Sequence, residues 1–218
     1  MMTLALYAHP FASYCWKALI ALYENETAFN YHVVDLGDTA SAAELERLWP
    51  FKKFPVLVDG NTSVIESSII IEYLDLHHPG SVRMVPADAA AALDARFVDR
   101  FFDHYVHTPM QAIVAETLHG TKRDDVVAQA RATLDTAYAW LARRMENRTW
   151  AAGDSFGLAD CSAAPALFYA DWVHSIGADF PAVRAYRQRL NARPSVARTI
   201  DEARPYRHFF PLGAPDRD

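Results

Sequence analysis

Apolar positions change their spacing along this chain, and the change divides it. Leu4-Ala5-Leu6-Tyr7 reads as a short strand closed by Ala8-His9-Pro10. From Tyr14 to Tyr23 the apolar positions 15, 18, 19 and 22 recur at helical spacing. Phe29 to Val34 returns to alternation through Phe29, Tyr31 and Val33, which predicts a second strand. Strand, helix and strand in that order point to a parallel crossover. A polar loop and a short helix over residues 42–48 follow. Phe54–Val58 and Ser63–Ile65, separated by Asp59-Gly60-Asn61, then read as a hairpin. A helix over residues 66–78 comes next, with Ile69, Ile70, Tyr73 and Leu74 expected to face inward.

Pro79-Gly80 and Pro86 punctuate the chain, and no convincing strand follows them. A long helix is expected from Ala89 to about Leu118, with Leu93, Phe97 and Phe101 on one stripe and a kink at Pro109. Val127, Ala130, Leu134, Ala137, Leu141 and Met145 mark another helix at spacings of three and four. Leu158–Val173 is apolar nearly all round, as a buried central helix would be. Segments 180–190 and 196–203 complete an all-helical bundle. The expected architecture is a small α/β domain over residues 1–80 and an all-α domain over residues 88–218.

Composition narrows the function classes. The 218 residues are 51% hydrophobic and 22% charged, enough to bury a sizeable core. A formal charge of −6 argues against a general phosphate-backbone binder, so no nucleic-acid partner is expected. Neither terminus joins a basic run to an apolar stretch, and no membrane partner is expected. Two cysteines, Cys15 and Cys161, make neither a disulfide framework nor a CxxC motif, which fits a reduced, cytoplasmic protein. In that setting the triplet Asn147-Arg148-Thr149 is not read as a glycosylation site. No metal is expected, because neither His77-His78 nor His104 and His107 has a complementary carboxylate set. Glycine-rich nucleotide loops are absent as well.

Candidate chemistry gathers around Pro55. A proline cannot donate to a strand ladder, so at the mouth of a hairpin it either starts the strand or sits in a cis bond that turns the entering chain. Glu66-Ser67 lies at a helix start, where free amides and the dipole favour an anion, although these residue types also serve as ordinary caps.

Taken together, Leu6-Tyr7-Ala8-His9-Pro10-Phe11-Ala12-Ser13-Tyr14-Cys15, Phe54-Pro55-Val56-Leu57, Glu66-Ser67 and Gly153-Asp154…Ala159-Asp160 resemble the cytosolic glutathione transferases over essentially the whole chain. The resemblance implies a thioredoxin-like N-terminal domain that grips glutathione and a helical C-terminal domain that lines an electrophile pocket. It also implies a homodimer. In such a protein Phe54-Pro55 is cis, and Phe54 pairs its backbone with the cysteinyl part of glutathione. Ser67 holds the γ-glutamyl carboxylate, Glu66 its ammonium, and Lys53, with Lys52 as competitor, a further carboxylate. Tyr7-Ala8-His9-Pro10 and Ser13 form the floor of the site, and His9, Phe11, Tyr105, Thr108, Gln111 and Ala112 meet the electrophile.

The reaction implied is attack of the glutathione thiolate on a small electrophile, or its isomerisation. A free thiol has a pKa of about 8.5, so it needs activation at neutral pH. Ser13 is the expected activator, with Tyr14, Tyr7 and backbone amides as alternatives. Two positions depart from the pattern. Ala12 stands where serine-type relatives carry the activating serine, and Gly157 stands where the core-helix capping box carries Ser or Thr. Phe11-Ala12-Ser13-Tyr14-Cys15-Trp16 is only partly similar to the zeta-class start. Cys15 is expected to be an inert core thiol. A reactive Cys15 would instead point to a glutathione-dependent peroxidase or thiol transferase, and loss of the activator to a non-enzymatic binding protein on the same fold.

Overall fold

The first helix is buried on both flanks, and that places it at the centre of the molecule. The computed structural model describes residues 4–121 and 123–218. In α1 (Ser13–Glu24), Cys15, Ala18, Leu19 and Leu22 face the sheet, while Trp16 and Ile20 join the core of the helical half. The sheet has four strands, β1 (Leu4–Ala8), β2 (Phe29–Val33), β3 (Val56–Asp59) and β4 (Thr62–Ile65), in the order β2-β1-β3-β4. β1 and β2 are parallel across the helical crossover, and Leu4 pairs with Phe29. β3 is antiparallel to β1 and to β4, with Leu6 opposite Leu57 and Val56 opposite Ile65. The short helix α2 (Thr39–Leu48) follows β2, and α3 (Ser67–His77) follows β4. This is a thioredoxin-like domain.

The remaining chain is helical among the described residues: α4 (Ala89–Phe101), a π-helical segment Phe102–His107, α5 (Thr108–His119), α6 (Asp124–Met145), α7 (Leu158–Val173), α8 (Pro181–Asn191), α9 (Pro194–Ala203) and a closing 3₁₀ turn Arg204–Phe209. α7 packs against α1, α4, α5 and α8, as its all-round apolar sequence requires. Where a kink at Pro109 was expected, the chain runs through a π-helical segment directly into α5, with Pro109 its second residue.

Three orientations differ from the sequence expectation. Ile69 is 53% exposed, and Ile71 takes the inward place beside Ile70 and Leu74. Leu93 and Phe97 are exposed; the face of α4 that packs inward carries Ala92, Ala95 and Val98 with Phe101. Small residues there let α4 approach α7 closely, which leaves the bulky stripe outside. In β2, Val33 is exposed at the sheet edge and Val34, just past the strand, turns in.

Gly157 explains its own departure from Ser or Thr. A Cβ there would lie 2.7 Å from the Met84 carbonyl oxygen. That carbonyl accepts from Leu158 N–H at 2.9 Å, so the chain must pass close. Asp160 still does its part: its carboxylate accepts from Gly157 N–H at 3.0 Å, Ala151 N–H at 2.9 Å and the Tyr186 hydroxyl. Burial raises this carboxyl's pKa to about 6.

Candidate active site

Two cavities meet at the seam between the halves. The first is a polar groove of ≈560 Å³ whose walls include Lys52, Lys53, Phe54, Pro55, Glu66 and Ser67. The second is an apolar pocket of ≈410 Å³ lined by Phe11, Met110, Val114, Leu118, Phe210 and their neighbours. Tyr14, Phe54 and Gln111 belong to both. A molecule in the groove and a molecule in the pocket would therefore touch at that shared edge.

The N-terminal turns of α1 and α3 supply residues to these cavities, and neither helix is closed by a side-chain cap. In contrast, Asp38 caps α2 and Asp88 caps α4. The capping alternative for Glu66-Ser67 thus lacks its hydrogen bond. Glu66 holds φ at 68°, a left-handed conformation that a non-glycine residue adopts only where its surroundings impose it. Its side chain is exposed while Ser67 is buried at the first turn of α3. Phe54-Pro55 is cis.

Lys52 is occupied by an ion pair with Glu46 at 2.9 Å, whereas Lys53 has no ion-pair partner among the described residues. Ser13 is the first residue of α1 and lines the apolar pocket rather than the groove. Tyr14 stands at the junction. Burial, reinforced by the nearby Asp103 charge, pushes its phenol up to about 12, so it stays protonated near neutral pH. Its ring stacks on His107 at 4.6 Å. His107 is fully buried, neither ring nitrogen has a hydrogen-bond partner although Nδ1 lies 3.9 Å from the Asp103 carboxylate, and burial lowers its pKa to about 3.

Phe11 lines the apolar pocket and Gln111 both cavities, whereas Thr108, expected on the electrophile side, lines the polar groove alone. Tyr105 lines neither; it is 53% exposed and packs on Phe101. Tyr7, Ala8, His9 and Pro10 form no floor to either cavity, and Ala112 is not on their walls. Tyr7 stacks on His32 at the sheet. The His9 Nδ1 accepts from Phe11 N–H at 3.1 Å and its ring abuts Tyr206, so it shapes the loop before α1. Cys15 is fully buried among the residues facing the sheet, and burial pushes its thiol up to about 12, as for a core thiol.

A buried charge cluster stands directly behind the groove. Lys17 Nζ, fully buried, lies 2.8 Å from Asp99, 2.9 Å from Asp103 and 2.9 Å from Ser68 Oγ. Arg100 contacts both aspartates, and Ser162 donates to Asp99. Arg100 and Asp103 themselves reach the groove wall, together with His104, Leu36 and Trp49. None of these was expected on the site. A lone lysine in the apolar run Cys-Trp-Lys-Ala-Leu-Ile was the signal, with Asp99 and Asp103 one helical turn apart as its complement. Among the described residues no group of three or more His, Cys, Asp or Glu side chains is placed to hold a metal ion.

A four-stranded thioredoxin-like domain, a helical domain and a polar groove at their seam define a two-domain thioredoxin-fold protein with a cleft between its halves. The profile of the glutathione S-transferase N-terminal domain matches residues 6–82, and that of the glutathione S-transferase C-terminal domain matches residues 86–194. The chain belongs to the glutathione S-transferase family. It is 28% identical over 196 residues to a stringent starvation protein A homolog of Haemophilus influenzae, covering 88% of this chain and 87% of that protein. It is 28% identical over 203 residues to glutathione S-transferase U25 of Arabidopsis thaliana, covering 89% and 87%. A probable maleylacetoacetate isomerase of Vibrio cholerae is 24% identical over 213 residues, covering 94% and 99%. Among solved structures, a Methylobacterium radiotolerans glutathione S-transferase in complex with glutathione sulfonate superposes with a TM-score of 0.77 at 28% identity, covering 91% of this chain and 94% of that one.

Proposed function

We propose that this protein is an enzyme that binds glutathione in the polar groove, activates its thiol and presents the thiolate to a small electrophile in the adjoining pocket. The observation that carries this reading is the shared edge of the two cavities at Tyr14, beside the uncapped start of α1. Glutathione carries two carboxylates and one ammonium. Ser67 and the first amides of α3 match the γ-glutamyl carboxylate, the exposed Glu66 its ammonium, and Lys53, unpaired among the described residues, the glycyl carboxylate. Backbone groups of Phe54 face the cysteinyl part. Thr108 and Gln111 complete the side toward the helical domain, and Phe11 the electrophile side.

Each pKa unit by which the bound thiol falls needs about 1.4 kcal/mol of preference for the thiolate. The dipole and free amides of α1 act with a hydroxyl from Ser13 or the protonated Tyr14. The same geometry serves addition to an electrophile or isomerisation through a glutathione adduct. The protein acts in the cytoplasm, where its two free, buried cysteines stay reduced. It pairs as a homodimer through an apolar face that includes the exposed Leu93, Phe97 and Tyr105. Calorimetry with reduced glutathione, followed by turnover of chlorodinitrobenzene, tests the proposal. Glutathione binding with conjugate formation supports it; no heat of binding at millimolar glutathione refutes it.

A further inference from the structure

Phe209, Phe210 and Pro211 stand on the wall of the apolar pocket, yet little backbone bonding holds them there. The 3₁₀ turn before them contains no buried residue, and the chain from Phe210 to Asp218 runs without helix or strand. Among the described residues, two backbone N–H groups of 210–218 reach another backbone carbonyl. Phe210 donates to Arg207 and Gly213 donates to Phe210, each at 3.0 Å. Both bonds stay within residues 207–213, so neither ties the segment to the rest of the molecule.

Side chains do that instead, and they are of two kinds. Phe210 is buried against Trp172 at 5.1 Å, and Ala214 packs on the core of the helical domain. The other contacts are ionic and lie at the far end. Arg217 pairs with the Asp171 carboxylate of α7 and donates to the Asp171 carbonyl at 3.0 Å. The Asp218 carboxylate pairs with Arg204 at 2.5 Å and with Arg207, and its main-chain oxygen accepts from Arg187 of α8 at 3.1 Å. Arg204 and Arg207 belong to the turn at the other end of the same segment. Asp218 therefore closes residues 204–218 into a loop. Arg217 fastens that loop to the helix that carries Tyr169, itself on the pocket wall. The Arg204 and Arg217 side chains are 46% and 44% exposed, so solvent ions reach these pairs. Exposed ion pairs are weak singly and are screened by salt. A segment held in this way opens locally at far less cost than unfolding of the domain.

We infer that residues 204–218 form a lid on the apolar pocket, latched by the pairs Arg217–Asp171 and Asp218–Arg204/Arg207, and that ionic strength sets how often it opens. The consequence for the electrophile rests on the glutathione reading; the latch itself does not.

Chymotrypsin reads the latch with no ligand present, since Phe209 and Leu212 are exposed while Phe210 between them is held down. Cleavage within 209–212 is followed by mass spectrometry and divided by the rate on a free peptide of residues 204–218 at the same salt. Raising sodium chloride from about 0.05 to about 0.5 M is expected to speed that cleavage at least about threefold. Arg217→Ala and Asp218→Asn should each do the same at low salt, at the parent's urea midpoint, and Arg217→Lys should fall between Arg217→Ala and the parent. A cleavage rate indifferent to salt and to the substitutions overturns the latch, as does a urea midpoint that falls in step with cleavage. Release of the dinitrophenyl-glutathione conjugate, followed by recovery of tryptophan fluorescence in stopped flow, should quicken in Arg217→Ala by about the same factor. Release of glutathione alone should not, because no latch residue lines the groove. Faster cleavage with unchanged release of the conjugate overturns the gating role and leaves the glutathione reading intact. If glutathione does not bind, that reading fails and the cleavage rates still decide the latch.

Discussion

Replacing Lys17 by methionine keeps about the same side-chain length and removes its charge and its donors. In the intact protein the cluster is balanced, with Lys17 and Arg100 against Asp99 and Asp103. Lys17→Met leaves two buried carboxylates facing a single guanidinium whose side chain is 49% exposed. It also removes a donor from Ser68, which sits one residue after Ser67. Breaking a buried ion pair from one side costs about 3–5 kcal/mol, because the abandoned charge stays in a low-dielectric site. For a chain of this size that is a fall in Tm of roughly 6–20 °C. The double variant Lys17→Met/Asp99→Asn removes one charge of each sign and should recover part of that loss, since no excess carboxylate remains.

Urea unfolding followed by tryptophan fluorescence measures both variants, and Trp16 lies next to the site in the shared core. A loss below about 1 kcal/mol for Lys17→Met, or a double variant less stable than the sum of the singles, refutes the balanced-cluster argument. The same variant reports on function. Asp103 and Arg100 form part of the groove wall, so glutathione affinity should fall along with stability. The chemistry at the thiol should change little, because Lys17 does not line either cavity.

Ser13→Ala should raise the pKa of bound glutathione and slow turnover by up to about 10²-fold if its hydroxyl meets the sulfur, while Tyr14→Phe does so if the phenol is the donor; thiolate absorbance against pH in each variant separates them. Ser67→Ala should weaken glutathione binding by calorimetry by about tenfold and leave the bound thiol's pKa near the parent value. Gly157→Ala should destabilise by about 1–3 kcal/mol in urea, since its new Cβ meets the Met84 carbonyl oxygen and the chain must shift. His107 is neutral when folded down to about pH 3 but protonates near pH 6.5 when unfolded, so the unfolded state binds the extra proton between those values. Stability attributable to this residue is unaffected above pH 6.5 and falls by about 1.4 kcal/mol per unit as pH drops below it; His107→Phe should flatten that part of the urea-midpoint profile.

The parts of this structure that were legible in the sequence are those governed by one local rule each. Periodicity located the elements, and Leu158–Val173 came out to the residue because a segment apolar nearly all round, bounded by polar breaks and too long for a strand, reads as a buried helix. Orientation was less legible on α4. Leu93, Phe97 and Phe101 make the more obvious apolar stripe, yet small Ala92 and Ala95 are what allow α4 to approach α7, and size complementarity between helices is not written on either one alone. The groove shows the same division. Glu66-Ser67 and Phe54-Pro55 are adjacent in sequence and could be read there. Arg100, Asp103 and His104 reach it from a helix far along the chain, where Asp103 pairs with Lys17 of α1, and no local pattern announces that contact. Tyr105 lies on the outer face, one turn along from Phe101 and packed on it. The chemistry of the cleft is therefore set in two layers. Residues contiguous in the N-terminal domain present the groups suited to glutathione, and a buried pair of charges crossing the seam fixes how the helical domain closes over them. Substrate range should then vary with the apolar wall of α5 and the C-terminal Phe209-Phe210-Pro211, which can change without disturbing that seam.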